Sequence, residues 1–253
     1  MTDTLLNTVW TIPRHMRGAV QSQFYLSGNS IESTSPWTGE RTPYGPFVQF
    51  FIAEIAPPTL NGPAKVNEGQ ATWREWQGFI TRLRGTSGLV RATDYYRMRP
   101  TYDIKHKMTT GPWSDSLPWS DGEPWVSPAL PDFVIFDEPC TTGDISFVVR
   151  GLPPDTDEVL VPGDLIEGRP EGIATPYGNL YEVVHCARTN SDGKARVYIQ
   201  PGLRMGFVAG DMAVLREPTS VFRLADSRQG IVSRSLGNIG NLGIKLIEEF
   251  QNG

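Results

Sequence analysis

From residue 144 onward, apolar residues alternate with polar ones in short runs, and turn residues break each run within about ten positions. In residues 144–150, Ile145, Phe147 and Val149 take one side against Ser146 and Arg150, the pattern of a half-buried strand. Residues 158–161 extend into Pro162-Gly163-Asp164, a turn. Residues 180–188 and 195–200 read as strands flanking Asn190-Ser191-Asp192-Gly193, where Asp-Gly marks a hairpin. Residues 212–216, 221–224 and 243–250 continue the series. A helix needs apolar residues three and four apart, whereas period two over short segments demands a sheet. This half therefore predicts an all-β sandwich or barrel.

The first half is less regular. Residues 1–46 are rich in Ser, Thr, Gly and Pro with isolated aromatics, and residues 23–26 form a short candidate strand. Ser35-Pro36-Trp37-Thr38-Gly39 reads as a turn, and residues 47–54 read as a strand ended by Ala56-Pro57-Pro58. Residues 70–84 predict an amphipathic helix, with Trp73, Trp76, Phe79, Ile80 and Leu83 on one face. Thr72 three residues before Glu75 resembles a capping box, and Gly85 after Arg82-Leu83-Arg84 suits a helix stop. The aromatic stripe reads as core rather than as a ligand site.

Between the halves, residues 111–128 carry a Pro-Trp pair every six residues, at Pro112-Trp113, Pro118-Trp119 and Pro124-Trp125. Three of the seven tryptophans sit in this connector. It is an ordered strap whose rings fill apolar grooves, a contact between subunits, or a platform for a stacked ligand.

Composition narrows function by exclusion. The chain has 253 residues, 39% hydrophobic and 20% charged, which suits a globular protein of one large or two small domains. Its net charge of −5 shows no basic excess for nucleic acid, so no sequence-specific nucleic-acid partner is expected. No signal peptide is evident, and no apolar run is long enough to insert in a membrane. Cys140 and Cys186 give no disulfide framework; they could pair, but two free thiols of a reducing cytoplasm are the simpler reading. His15, His106 and His185 lie far apart without metal-site spacing. His185 and Cys186 would point to opposite faces of a strand, which disfavours a dyad. The glycine-rich residues 237–243 lack a phosphate-loop order and read as a flexible turn, and GxSxG is absent. Asp155, Asp157 and Glu158 read as surface acid, and Asp164 and Asp211 as turn residues rather than calcium ligands. The expectation is no enzyme, no cofactor and no metal.

One series of motifs suggests a family. Leu160-Val161-Pro162-Gly163-Asp164, Gly178-Asn179-Leu180-Tyr181-Glu182-Val183-Val184, the Asp192-Gly193 hairpin, Gln200-Pro201-Gly202-Leu203-Arg204, Gly210-Asp211 and Pro218-Thr219-Ser220-Val221-Phe222-Arg223-Leu224 follow in that order. The order resembles the distal tail proteins, a tail-tip structural family of long-tailed (siphovirus-like) bacteriophages and gene-transfer particles. Residues 76–85, Trp-Gln-Gly-Phe-Ile-Thr-Arg-Leu-Arg-Gly, are similar to a helix of that family, and Glu248 and Glu249 to its acidic C-terminal segment. The resemblance covers roughly residues 70–250, and its motifs concern turns and packing rather than catalysis.

The resemblance implies a mainly β protein. It would have a β-sandwich belt domain with one amphipathic helix and a second small β-barrel, galectin-like or OB-like domain. Residues 1–108 would form the belt domain, completed by a strand over 243–250. Residues 109–130 would be the connector, 131–220 the outer domain, and 221–253 a segment returning to the belt. The implied role is a virion structural protein, a homohexamer ring joining the tail tube protein to tail hub, tip or baseplate proteins. It would be assembled in the host cytoplasm and located in the virion tail tip. Trp73, Trp76, Trp113, Trp119, Trp125, Arg84, Arg204 and Arg223 are the assembly and packing candidates. The alternative is a carbohydrate-binding β module that contacts a host-surface glycan.

Overall fold

A computed structural model describes residues 9–12, 21–28, 31–34, 37–38, 41–44, 49–56, 75–105, 130–170, 178–227, 234–235, 238–239 and 243–249. The strands in chain order are β1 (Val9–Thr11), β2 (Gln21–Gly28), β3 (Ile31–Thr34), β4 (Arg41–Tyr44), β5 (Gln49–Ala56), β6 (Leu89–Thr93), β7 (Phe133–Phe136) and β8 (Ser146–Arg150). They continue with β9 (Leu165–Arg169), β10 (Asn179–Cys186), β11 (Lys194–Gln200), β12 (Met212–Val214), β13 (Thr219–Leu224), β14 (Arg234–Ser235), β15 (Asn238–Ile239) and β16 (Ile244–Glu248). Residues 75–82 are helical (α1), and a short helix, α2, covers Thr101–Lys105. The protein is mainly β, with two units: one from residues 1–96 and 220–251, the other from residues 97–219.

The first unit is a six-stranded sheet in the order β1-β6-β13-β16-β5-β2. Strand β1 runs parallel to β6, while β13–β16, β16–β5 and β5–β2 are antiparallel. Strand β16, from the far end of the chain, lies between β5 and β13. The register aligns Phe24, Ala53, Leu246 and Leu224 in one cross-strand row, and all four are buried. The next row, Tyr25, Ile52, Ile247 and Arg223, must point the other way because side chains alternate along a strand. Phe24 and Phe222 meet edge to face, 5.6 Å between centroids. Glu248 takes a core-facing position, where an unpaired carboxylate would be costly. Its Oε2 accepts the Phe51 N–H at 2.9 Å and its Oε1 the Ser220 hydroxyl at 2.7 Å.

Of the expected stripe, Trp76 and Phe79 of helix α1 and Leu83 just after it are buried and Ile80 is half-buried, with Trp76 and Phe79 edge to face at 6.2 Å. Residues 70–74 of the expected helix, with Thr72 and Trp73, lie outside the described residues. The helix stop differs by one residue from the expectation. Arg84 already takes φ 50 and Gly85 then takes φ 67. The Gly88 N–H returns to the Leu83 carbonyl at 2.7 Å, so two left-handed residues, not the glycine alone, reverse the chain.

The second unit contains a closed barrel in the order β7-β8-β11-β10-β9-β12, with β12 pairing back to β7. Every pair is antiparallel. Strands β9, β10 and β11 form a meander, with β8 returning beside β11 and β12 beside β9, which makes two overlapping Greek keys. Inside, Phe136 stacks on Phe207 at 4.5 Å and tilts against Phe147 at 4.7 Å. A Cβ at Gly168 would stand 2.5 Å from the Phe207 ring, so β9 needs glycine there for this stack to form. Tyr181 is fully buried, and its hydroxyl accepts the Arg204 N–H at 3.2 Å.

Three turns share one construction. Thr141–Asp144, Val161–Asp164 and Val208–Asp211 each place glycine third, at φ 95, 94 and 107, and aspartate fourth. In each, the aspartate N–H donates to the first carbonyl, at 3.2, 3.1 and 3.1 Å. The aspartate Oδ2 accepts the first residue's N–H, at 2.7, 3.0 and 2.7 Å. Only glycine adopts the third position without strain, and the carboxylate occupies a main-chain donor that the turn leaves over. The turns stand just before β8, β9 and β12.

Two buried carboxylates hold the ends of the second unit. Asp164 Oδ1 accepts from the Thr101 N–H and hydroxyl at 2.9 and 2.7 Å. Glu167, fully buried, accepts from the Thr219 N–H and hydroxyl at 2.8 and 3.0 Å and pairs with Arg169 at 2.5 Å. The Glu217 N–H donates to the Met98 carbonyl at 2.7 Å, joining the first and last stretches of the second unit directly.

Several expectations need correction. Residues 158–161 form no strand; β9 starts after the Gly-Asp turn. The strands expected over 180–188 and 212–216 end at Cys186 and Val214. Ile145 is 65% exposed rather than inward. Its carbonyl still accepts the Ile199 N–H at 2.9 Å, but it precedes β8, where the β7–β8 register covers only residues 149–150. Within the expected flexible turn, residues 238–239 form β15 and pair antiparallel with β14, while residues 237 and 240–242 lie outside the described residues.

Candidate functional site

The expected assembly residues separate into three groups. Trp73, Trp113, Trp119 and Trp125 lie outside the described residues. Trp76 is fully buried and Arg204 bonds into the barrel core through its backbone, so both hold their own unit together. Arg223 pairs with Glu249 at 2.9 Å and donates to the Ser87 carbonyl at 2.7 Å, which ties β13 to the turn after α1. Arg84 forms that turn through its left-handed backbone. Among the described candidates, the two arginines of the first unit meet at this turn, while Arg204 lies in the second unit.

Two solvent-facing surfaces remain. On the sheet, Gln23, Tyr25, Glu54, Lys245 and Ile247 are exposed or half-buried. Lys245 Nζ reaches Glu54 at 2.9 Å and the Tyr25 hydroxyl at 3.1 Å, while that hydroxyl donates to Glu54 at 3.1 Å. The hydrogen bond from Lys245 is the largest effect on the Glu54 carboxyl and, with a smaller one from Tyr25, holds it below its ordinary value against the opposing effect of burial. Glu54 in turn raises the Lys245 ammonium. Trp37, at a described turn of the same unit, is 94% exposed.

On the barrel, a bulge between Val183 and His185 sets Val184 and His185 both outward before Cys186 turns inside. His185 lies against Tyr198, 5.7 Å between ring centroids, and Tyr198 is 38% exposed. Nearby, a groove of about 270 Å³ is lined by Glu138, Pro139, Cys140 and residues 144–148 with Arg196. Both cysteines are free thiols. Burial pushes the Cys140 and Cys186 thiols up, away from the thiolate that a nucleophile needs. Asp157 is exposed and pairs loosely with Arg188 at 3.7 Å, a surface contact. Among the described residues, no three His, Cys, Asp or Glu side chains stand close enough to hold a metal ion.

No protein-family model and no curated protein matches this chain. Sequence reasoning missed the Trp37 exposure and the barrel groove. The Gly-Asp repeat was available as a signal in Thr-Thr-Gly-Asp, Val-Pro-Gly-Asp and Val-Ala-Gly-Asp.

Proposed function

We propose that this chain is a structural protein of a phage tail tip that works by assembling with copies of itself into a ring. The observation that carries the reading is Trp37, 94% exposed in the sheet unit. An indole left in water is an unfavourable use of the residue best suited to interface hot spots. The half-exposed sheet face with Tyr25, Ile247 and the Glu54–Lys245 pair adds the mixture of apolar centre and polar surround that interfaces use. The order of Gly-Asp, hairpin and Phe-Arg-Leu motifs supports the tail-tip assignment by resemblance. In this reading the tail tube protein and the hub proteins are the neighbours, and the ring is a homohexamer with heterologous contacts that close. Light scattering after size exclusion, with negative-stain imaging, tests it. Rings are expected for the parent protein, and Trp37→Ala with Tyr25→Glu should leave folded monomers. A parent protein that stays monomeric at high concentration overturns the reading.

A second reading, a module that contacts a host glycan, draws on the exposed Tyr198 ring beside His185. Glycan-array binding that Tyr198→Ala abolishes would favour it.

A further inference from the structure

The barrel wall carries a short open edge. In an antiparallel ladder, alternate residues direct their main-chain groups to one neighbour or the other. The Ile199 N–H bonds the Ile145 carbonyl, so residues 145, 147 and 149 serve β11. Residues 146, 148 and 150 therefore face β7. There the register runs Ile135↔Arg150 and Phe136↔Val149, and the Asp137 N–H reaches the Val148 carbonyl at 2.9 Å. One step further, the same register places Pro139 opposite Ser146. Proline has no N–H to give, so the ladder stops. The chain turns away at this point, and Cys140 pairs with Phe207 instead, its N–H donating at 2.9 Å. The groove of about 270 Å³ is lined by Glu138, Pro139 and Cys140, just past the end of β7, together with residues 144–148 and Arg196.

We infer that this groove binds an extended basic peptide segment, which adds to the barrel as a short strand along β8. Strand addition draws affinity from main-chain hydrogen bonds and selectivity from alternate side chains. The Ser146 backbone supplies the main-chain partner. The flanks choose the side chains: Glu138 is exposed at the rim, and Asp144, whose Oδ2 holds the Thr141 turn, adds its charge to the same wall, against one cation, Arg196. Arg196 is engaged with the Ser146 hydroxyl at 3.4 Å. The groove thus favours a lysine or arginine at one position, and the exposed Ile145 offers contact to an apolar residue beside it. The site belongs to the barrel alone and does not rest on the ring reading, since it is testable on rings or monomers alike.

The test uses the full chain and a fluorescein-labelled octapeptide of alternating lysine and valine. Its controls are the glutamate-valine counterpart and a lysine-valine peptide methylated on every backbone nitrogen. Fluorescence anisotropy should show binding of the first peptide, with each control weaker by roughly tenfold or more. Glu138→Lys should weaken the lysine peptide to a similar degree. Pro139→Ala, which restores a donor opposite Ser146, should weaken it by letting the wall close. Hydrogen exchange should show new protection at the Ser146 amide on peptide addition. Equal binding of the methylated peptide, protection confined to other segments, or no binding of the lysine peptide at millimolar concentration overturns strand addition. Unchanged affinity in Glu138→Lys overturns the basic character of the partner.

Discussion

The sheet unit and the barrel solve the same problem differently. The sheet buries one face and leaves part of the other to water, so its outward charges pair at the surface, as in Glu54–Lys245. The barrel closes on itself, and strand β9 is buried on both sides from Leu165 to Gly168. Its carboxylates must then find internal donors: Asp164 and Glu167 hold Thr101 and Thr219, and Asp211 holds its own turn. The lesson is that burial, on one face of the sheet and on both faces of a barrel strand such as β9, converts carboxylates from solubilising groups into structural acceptors, as Glu248 already does on the sheet's buried face. A surface ion pair is worth little, whereas a buried acceptor is expensive to remove.

Four substitutions sharpen or break this contrast. The largest effect is expected from Phe136→Ala, which empties the centre of the Phe147–Phe136–Phe207 stack. It should cost about 3–5 kcal/mol, and hydrogen exchange resolved by segment should locate the loss in residues 130–219. Glu167→Ala comes next, at about 3 kcal/mol, because the Arg169 charge and the Thr219 N–H lose their acceptor together. Denaturant titration checks it, and a cost near zero would mean that Glu167 behaves as a surface group.

Glu248→Ala is the equivalent test in the sheet, expected at about 1–3 kcal/mol, since it strands the Phe51 N–H and the Ser220 hydroxyl. Smallest is Glu54→Gln. The Glu54 carboxyl lies below its ordinary value in the folded protein, so its contribution is complete above the ordinary carboxylate range. It fades as pH falls through the lowered value. Thermal melts should therefore show the variant slightly less stable than the parent near neutrality and indistinguishable from it in strong acid. A difference that grows in acid would contradict the ion pair.

Local pattern was legible where one face of a strand meets the core and the other meets water. Strand β11 alternates buried and exposed residues along its whole length, as its sequence predicts. The Asp192-Gly193 hairpin could be read because its chemistry is local: the Asn190 side chain accepts from Asp192 and Lys194 within the turn. Strands β1, β3, β4, β6, β7, β9, β14 and β15 were missed, since β6 and β9 are buried on nearly every residue and show no alternation, while the others span only two to four residues. The same periodicity put Ile145 inside, because it cannot see that the facing strand has ended. Of the candidate assembly residues, the sequence identified side-chain types that suit interfaces, but burial decided their use. Trp76 is core, and among the described tryptophans Trp37, read as a turn residue, is the exposed one.

By itself, the sequence determined the β class, the turns and the amphipathic stripe of α1, because those depend on residues within a few positions of one another. Only the tertiary structure decided that β16 lies between β5 and β13, that β12 closes the barrel between β7 and β9, and that Pro139 falls opposite Ser146. Such pairings join residues far apart in the chain, and their register is chosen by which hydrogen bonds and buried faces can be satisfied together.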